Sequence, residues 1–253
     1  MQLSLSNLAF TGFECYALKN IPECLGIEIF YEFGNDLYWN TLLKQLFAGR
    51  LKQRLSLHGP CIATNLADPT DSHYLVQYKQ ALELAAKWQA DFIVVHTNED
   101  FQGDQLVVRY IVKQRLNELF ALAKDYPVEL VIENVGLRNK GTLLFDWQDY
   151  CDLLATFPAA GALLDTGHAH INGWQLPQVI EQLGPRLTAC HLHDNGGIAD
   201  DHGPIGCGNI PWKPVFKAIN TFCPETTLVF EYAKVNLETA LASMDDVFNH
   251  YCN

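Results

Sequence analysis

Short runs of apolar and β-branched residues alternate along this chain with longer segments in which apolar residues recur every three or four positions. A short apolar run is typical of a buried strand, and the three-to-four spacing is typical of an amphipathic helix. Eight strands are predicted, over Leu3–Phe10, Leu25–Tyr31, Leu55–His58, Phe92–His96, Leu130–Glu133, Ala162–Asp165, Leu187–His191 and Thr227–Glu231. The clearest predicted helices span residues 74–89 and 106–126, and a last helical pattern covers residues 237–251.

This regular alternation of strand and helix predicts an α/β protein with a parallel sheet. Eight strand–helix units in 253 residues, without a linker or a repeat break, favour a single (β/α)8 TIM barrel that forms one domain over residues 1–253. A doubly wound open sheet is the alternative fold. That fold favours a glycine-rich phosphate-binding turn after its first strand, and the segment LAFTGFECY lacks one.

Six of the predicted strands run into a side chain that can bind a metal ion. These strand ends are His58, His96, Glu133, Asp165, His191 and Glu231. In a TIM barrel the carboxyl ends of the strands meet at one mouth, where the active sites of this fold lie. One such residue could be purely structural, but six at equivalent positions predict a metal-binding catalytic site.

The segment LTACHLHDNGGIADDHGPIGCGNIPW, residues 187–212, is the densest in polar side chains. Its metal-capable residues are His191, His193, Asp194, Asp200, Asp201 and His202. Glycines within the segment allow the backbone to turn back, so that Asp200 and His202 can approach His191. Imidazole and carboxylate together suit zinc first, with manganese as the alternative, and the number of ligands suggests more than one ion.

Composition excludes few locations or classes of partner. None of the eight cysteines forms a CxxC pair, which favours reduced thiols, with Cys207 as a possible reactive one. No apolar run could span a bilayer and the amino terminus lacks a signal pattern, so a cytoplasmic protein without a membrane partner is expected. The net charge of −12 disfavours polyanions but leaves a nucleic acid open as a partner, because bound metal ions would add positive charge.

Three segments carry a resemblance to a known family. DDHGPIGCGNIPW resembles the D-x-H…P-x-G-x-G-x-[IL]-x-W signature of the xylose-isomerase-like TIM barrels, and LLDTGHAHI and IEN add to the match. This superfamily includes sugar isomerases, sugar epimerases and endonuclease IV, and the similarity spans almost the whole chain. Two features depart from the pattern: Cys207 stands where a charged residue is common, and the loops after the strands are short and poor in arginine.

The resemblance implies two sets of metal ligands. The sugar isomerases and epimerases hold one divalent ion, and the matching residues here are Glu133, Asp165, His191 and Glu231. Endonuclease IV holds three zinc ions with five further ligands, and the matching residues are His58, His96, His168, Asp200 and His202. All nine positions are filled, so the resemblance leaves both activities open.

The function expected is isomerisation or epimerisation of a small sugar or sugar phosphate, with Glu133 and Glu231 moving a proton on a metal-bound hydroxy-ketone. The alternative is a multinuclear zinc phosphoesterase that acts on abasic-site DNA or on a phosphorylated small molecule. A binding barrel that has lost its chemistry is a third possibility, although such loss usually removes ligands. Substrate contacts are expected from Arg138 and Lys140 to an anion, and from Trp174 and Trp212 to an apolar face.

Overall fold

The computed structural model describes residues 2–10, 17–48 and 53–251. Eight parallel strands form one closed barrel in chain order, which confirms the predicted (β/α)8 TIM barrel. The strands are β1 Gln2–Ser6, β2 Gly26–Phe30, β3 Leu55–His58, β4 Phe92–Val95, β5 Glu129–Glu133, β6 Gly161–Asp165, β7 Leu187–Leu192 and β8 Thr227–Phe230. Strands β2, β3, β4, β6 and β8 are buried along their whole length, as expected where a parallel sheet is covered on both faces.

The helices follow the predicted spacing closely. They are α1 Asp36–Leu46, α2 Tyr74–Trp88, α3 Gln105–Ala123, α4 Trp147–Thr156, α5 Thr166–Ile171, α6 Leu176–Leu183, α7 Trp212–Phe222 and α8 Leu237–Tyr251. The two helices predicted most clearly correspond to α2 and α3, and the last helical pattern corresponds to α8. None of these helices, within the part of the chain that the structure describes, combines the length and the apolar character needed to cross a bilayer.

The first strand is shorter than predicted. β1 ends at Ser6, and Asn7–Phe10 form a 3-10 turn instead of continuing the strand. The hydroxyl of Ser6 accepts a hydrogen bond from the backbone amide of Leu8 at 3.3 Å. A local bond of this kind offers the backbone an alternative to the strand ladder, which the apolar pattern of Leu8–Phe10 did not reveal.

Contacts divide the chain into two compact units, Met1–Glu28 with Ala162–Asn253 and Ile29–Gly161. In the first unit β6, β7 and β8 pair in parallel, with Asp165 opposite His191 and His191 opposite Val229. In the second unit β3, β4 and β5 pair in parallel, with His58 opposite Val94. In-register pairing therefore sets strand ends side by side within each unit. A single domain over residues 1–253 stays a prediction.

Arg115 of α3 holds the segment that follows β3 in place by hydrogen bonds. Its side chain is 8% exposed, and the guanidinium lies 4.7 Å from the ring centre of Tyr74. The guanidinium nitrogens donate to the backbone carbonyls of Asn65, Leu66, Asp68 and Asp71 at 2.5–3.3 Å. Because those carbonyls belong to an irregular segment, Arg115 supplies donors that a helix or a strand would otherwise provide.

Glu32 holds the start of the same segment in place as a hydrogen-bond acceptor, whereas Arg115 acts as a donor. Its carboxylate accepts from the backbone amides of Cys61, Ile62 and Ala63 at 2.6, 2.6 and 2.8 Å. The path of the chain just beyond His58 therefore depends on two charged side chains bonded to backbone groups, Glu32 as acceptor and Arg115 as donor.

We expect Arg115→Leu to lower the free energy of unfolding by about 3 kcal/mol, because buried carbonyls lose their donors. Urea denaturation followed by far-UV circular dichroism would measure the change. The matched control is Arg54→Leu, since Arg54 forms a surface pair with Asp91 at 2.7 Å and the two side chains are 44% and 37% exposed. That control should cost less than about 1 kcal/mol. Equal losses in the two variants would contradict the role given to Arg115.

Candidate metal centre

An inner cluster, defined as Glu28, His191 and Glu231, lies on strands β2 and β7 and just after β8. The ring of His191 is fully buried, with Nε2 3.0 Å from Glu28 Oε1 and Nδ1 3.4 Å from Glu231 Oε2. Glu28 is 0% exposed and Glu231 is 3% exposed. One ligand atom from each of the three residues lies within 4.8 Å of the others. One imidazole and two carboxylates at this spacing fit a divalent first-row ion.

Glu28 is the member of this cluster that the sequence analysis missed. It lies inside the apolar segment GIEIF, whereas the predicted ligands are residues at strand ends or in the loops just after them. A carboxylate is costly to bury without a partner, so a lone acidic residue within a fully buried strand was the available signal. The sequence could not show that the partner would be His191.

Asp165 organises the turn between β6 and α5. Its carboxylate caps α5 by accepting from the backbone amide of His168 at 2.6 Å, and His193 Nε2 donates to its two oxygens at 3.1 and 3.0 Å. Asp165 and His193 are both 0% exposed. A Cβ at Gly167 would lie 2.0 Å from the ring of His193, so the glycine of the DTGH segment lets the ring reach Asp165.

An outer cluster, defined as His168, Asp200 and His202, lies on α5 and in the segment after β7. His168 Nε2 and His202 Nε2 lie 3.1 and 3.2 Å from the same oxygen of Asp200, Oδ2. His202 Nδ1 donates to the backbone carbonyl of Glu231 at 2.9 Å, which leaves Nε2 as the nitrogen for a ligand. The other oxygen of Asp200, Oδ1, is buried without a hydrogen-bond partner among the described residues. This donor set fits a metal ion, which would also satisfy that oxygen.

In the second unit His58, His96 and Glu133 lie together. His96 Nε2 is 2.9 Å from Glu133 Oε2, His58 Nε2 is 3.8 Å from the same oxygen, and Glu133 is 2% exposed. Glu99 accepts from His96 Nδ1 at 2.6 Å. Cys61 Sγ lies 3.8 Å from His58 Nδ1, and His58, Cys61 and His96 form a third group of closely spaced potential ligands.

The predicted ligands are divided between the two units. Asp165, His168, His191, Asp200, His202 and Glu231 lie in the first unit, and His58, His96 and Glu133 lie in the second. Their role as metal ligands stays a prediction, and so does the catalytic role of Glu133 and Glu231.

Burial and carboxylates act in opposite directions on the imidazoles. Burial disfavours the charged form of His96, but Glu133 and Glu99 outweigh it and raise its pKa to about 10. Burial also opposes the charged form of His202, and the carboxylates of Asp200 and Glu231 raise its pKa to about 9. His193 differs, because burial outweighs Asp165 and lowers its pKa, which keeps the ring neutral. For Asp200 the bonds from His168 and His202 outweigh burial and hold the pKa well below its usual range.

The predicted substrate contacts have different surroundings. Arg138 and Lys140 form a 3-10 turn after β5, and Arg138 donates to Asp146 at 2.5 Å with its side chain 61% exposed. Arg138 also lines a cavity of about 300 Å³ together with Arg109 and Asp149. Trp174 and Trp212 are buried, at 8% and 4% exposed. Contact of these four residues with a substrate stays a prediction.

Comparison with known proteins gives the family. A family model described as "Xylose isomerase-like TIM barrel" matches residues 6–247. Among curated proteins, the uncharacterized protein y4fM of Sinorhizobium fredii is 29% identical over 166 residues, which cover 60% of this chain and 50% of that protein. The D-psicose 3-epimerase of Enterocloster bolteae is 26% identical over 150 residues, which cover 58% of this chain and 46% of the epimerase. The chain therefore spans about half the length of these relatives.

Solved structures share the fold over nearly the full chain. A D-tagatose 3-epimerase-like protein superposes with a TM-score of 0.85 at 20% identity, covering 100% of this chain and 97% of its own. The TTHB071 protein from Thermus thermophilus, soaked with ZnCl2, superposes with a TM-score of 0.76 at 20% identity and covers 98% of both chains. A D-psicose 3-epimerase with D-tagatose from Clostridium cellulolyticum gives a TM-score of 0.70 at 17% identity, covering 90% of this chain and 84% of its own.

Binding of zinc to the metal-free protein should release protons at pH 7.5. His202 and His96 have pKa values of about 9 and 10 and so carry a proton at that pH, whereas a ligating imidazole must be neutral. The apparent affinity should therefore rise with pH and level off once the imidazoles have lost their protons. Calorimetric titration in two buffers of different protonation enthalpy measures the number released. His250→Asn, at an exposed position on α8, is the control and should leave that number unchanged; zero release from the wild type would contradict the expectation.

Proposed function

The chain belongs to the xylose isomerase-like TIM barrel family, and we propose that it is a divalent-metal-dependent isomerase or epimerase of a small sugar or sugar phosphate. The observation that carries the proposal is the burial and the position of the Glu133 and Glu231 carboxylates. Each is a buried carboxylate at or just after the end of a barrel strand, and each lies beside imidazoles. The carboxyl ends of barrel strands are where the active sites of this fold lie.

The metal ligands that we propose for this reaction are Glu133, Asp165, His191 and Glu231. The presence of imidazole among them favours zinc, with manganese as the alternative, over a hard ion that would select oxygen ligands alone. Of the similar structures, one is described as soaked with ZnCl2. The outer cluster and the pair His58 and His96 provide ligands for one or two further ions.

Glu133 and Glu231 would move the proton. One carboxylate takes the hydrogen as a proton from the carbon next to the substrate carbonyl, and the electron pair moves into the carbonyl to give an enediolate. The other glutamate, which starts as the protonated carboxylic acid, returns its proton to that carbon from the opposite face for epimerisation, or to the neighbouring carbon for isomerisation. A divalent ion bound there would polarise the substrate oxygens and offset the developing negative charge.

The substrate class that we propose is a small carbohydrate. Three of the similar proteins are described as D-psicose 3-epimerases, and the structure of one of them is described with D-tagatose. Arg138 and Lys140 are the residues that we propose for binding a phosphate if the substrate carries one. A guanidinium such as that of Arg138 can exchange its bond with Asp146 for one with a phosphate, since the pair is exposed.

One observation favours a second candidate, a multinuclear zinc phosphoesterase. The described residues form three further groups of closely spaced ligands, two of which share His202: the outer cluster, the group of His58, Cys61 and His96, and the group of His193, His202 and Glu231. Only Glu231 among them also belongs to the ligand set proposed for the single ion. Several clustered zinc ions can generate hydroxide and stabilise both oxygens of a phosphoester displacement. This candidate would act on abasic-site DNA or on a phosphorylated small molecule.

We expect Glu133→Gln and Glu231→Gln each to lower turnover by roughly 10²- to 10⁴-fold while the protein stays folded, because an amide cannot accept the proton. Turnover of a ketose panel by the zinc- and manganese-loaded protein is the measurement, with thermal unfolding as the test of folding. Glu83→Gln is the matched control, since Glu83 is 53% exposed and pairs with Lys79 on α2. Near wild-type turnover in either active-site variant would remove that residue from the mechanism.

A paired assay on metal-loaded protein should separate the two candidate activities. One arm measures incorporation of solvent deuterium into ketoses and their phosphates, and the other offers an abasic-site oligonucleotide and small phosphodiesters. We expect deuterium exchange, because the proposed proton transfer passes through carboxylates that exchange with water. Cleavage without any exchange would instead identify the phosphoesterase.

A further inference from the structure

The segment between β7 and α7, residues 193–211, carries Asp200 and His202. In the described chain this segment has no helix or strand, and its sheet-like pairing is an isolated antiparallel bridge between Asp194 and Gly203. A connection of this length without secondary structure needs other bonds to hold one conformation. The positions of Asp200 and His202 therefore depend on hydrogen bonds inside the segment as well as on their bonds to His168 and Glu231.

Asp194 provides those bonds from a side chain that is 1% exposed. Its Oδ1 accepts from the backbone amides of Asn195 and Ile210 at 2.9 and 3.2 Å. Its Oδ2 accepts from the backbone amide of Gly206 and from the indole of Trp212, both at 2.8 Å. Each oxygen thus has two neutral donors from the protein, so this carboxylate holds the segment together and is not left for a metal ion.

The backbone of Asp194 extends the same restraint to His202. The amide of Asp194 donates to the carbonyl of Gly203 at 2.8 Å, and the amide of Gly203 donates back at 3.0 Å. Gly203 directly follows His202, whose φ of +47° lies in the left-handed region that histidine rarely adopts. A residue keeps such a conformation only where its surroundings determine it. Here the bridge between Asp194 and Gly203 acts together with two bonds of His202 itself: its carbonyl accepts from the amide of Ala233, and its Nδ1 donates to the carbonyl of Glu231, both at 2.9 Å.

Gly208 shows how closely the segment folds around this carboxylate. A Cβ at residue 208 would lie 2.3 Å from Asp194 Oδ1 and 2.2 Å from the carbonyl oxygen of Asn195. A shift of Asp194 Oδ1 would break the bonds just described, and a shift of the Asn195 carbonyl would break the bond that it accepts from the amide of Asn209 at 3.0 Å. Glycine is therefore required at this position for steric reasons. Gly208, the second glycine of the GCG segment, therefore leaves room for the Asp194 carboxylate and does not only make the chain flexible.

We propose that Asp194 is a positioning residue that sets the metal affinity of the outer cluster separately from that of the inner cluster; this rests on the metal-dependent function proposed above. The outer cluster depends on Asp194 because Asp200 and His202 belong to the segment that it restrains. In the inner cluster, Glu28 and His191 lie within paired strands and Glu231 directly follows β8, so strand pairing holds them. Loss of the Asp194 carboxylate should therefore weaken one site and spare the other.

The test compares Asp194→Asn with Asp201→Asn by zinc titration against a competing chelator, starting from metal-free protein. Asp194→Asn keeps the shape of the side chain but replaces one carboxylate oxygen with an amide NH2 group. That NH2 group is a donor and would face two other donors. We expect the affinity of one zinc site, the outer cluster, to fall about 10- to 100-fold, as is usual when a bond supporting a ligand is lost, with the affinity of the other site unchanged. Asp201 is exposed and adjacent to Asp200, so Asp201→Asn removes the same charge and should leave both affinities as in the wild type.

A second measurement works without metal. Amide hydrogen exchange over residues 203–210 of the metal-free protein should speed up at least tenfold in Asp194→Asn and stay unchanged in Asp201→Asn. If the wild type binds no zinc, the proposed function fails, and the exchange result still decides whether Asp194 restrains the segment. If Asp194→Asn does not fold, Trp212→Phe decides instead, because it removes one of the four donors and should give a smaller change in the same direction.

Three results would overturn the proposal. The first is wild-type zinc affinity at both sites of a folded Asp194→Asn variant. The second is an equal loss at both sites, which would mean that Asp194 does not act on the outer cluster selectively. The third is unchanged amide exchange over residues 203–210, which would show that other bonds hold the segment.

Discussion

Pairing between buried imidazoles and buried carboxylates is the interaction on which the rest of this structure depends. An ionised group in the low-dielectric interior is costly unless a partner compensates it. Within each unit the carboxylates have such partners: Glu133 has His96, and Asp165 has His193. Glu231 lies between His191 and His202. These pairs allow the barrel to bury charge where its strands end.

The same pairs prepare the protein for a metal ion. The carboxylates raise the pKa of His96 and His202, so in the free protein protons occupy the places that a divalent ion would take. An ion and protons therefore compete for the same buried charge, and metal binding is coupled to pH. His193 stands apart, since burial keeps it neutral and its Nε2 orients the neighbouring carboxylate of Asp165 by donating to both of its oxygens. One set of contacts thus serves both folding and the proposed chemistry.

Charged side chains bonded to backbone groups hold the irregular segments that carry the ligands. Arg115 donates to carbonyls beyond β3, Glu32 accepts from amides of the same segment, and Asp194 accepts from amides beyond β7. In each case a buried or half-buried charge replaces the hydrogen bonds that secondary structure would supply. The chain can therefore present ligands from loops without leaving them mobile. The protein has more potential metal ligands than one ion requires. For this reason the phosphoesterase remains a candidate function in addition to the epimerase.

The sequence by itself determined the fold and the identity of most candidate ligands. Apolar runs and three-to-four spacing are local properties, and they predicted the eight strands and helices α2, α3 and α8. The first strand is shorter than predicted, because the amide of Leu8 bonds to the hydroxyl of Ser6. The position of a residue at a strand end is also local, which is why His58, Glu133 and Glu231 were found.

What only the tertiary structure decided is which side chains meet. Glu28 joins His191 because β2 and β7 belong to one barrel, and Asp194 bonds to Trp212 rather than to a metal because the segment after β7 folds back on itself. Periodicity carries no information on such contacts, since they join residues far apart in the chain. A carboxylate that restrains a loop and one that binds an ion look the same in a sequence; the donors that surround each carboxylate distinguish them, and folding alone brings those donors together.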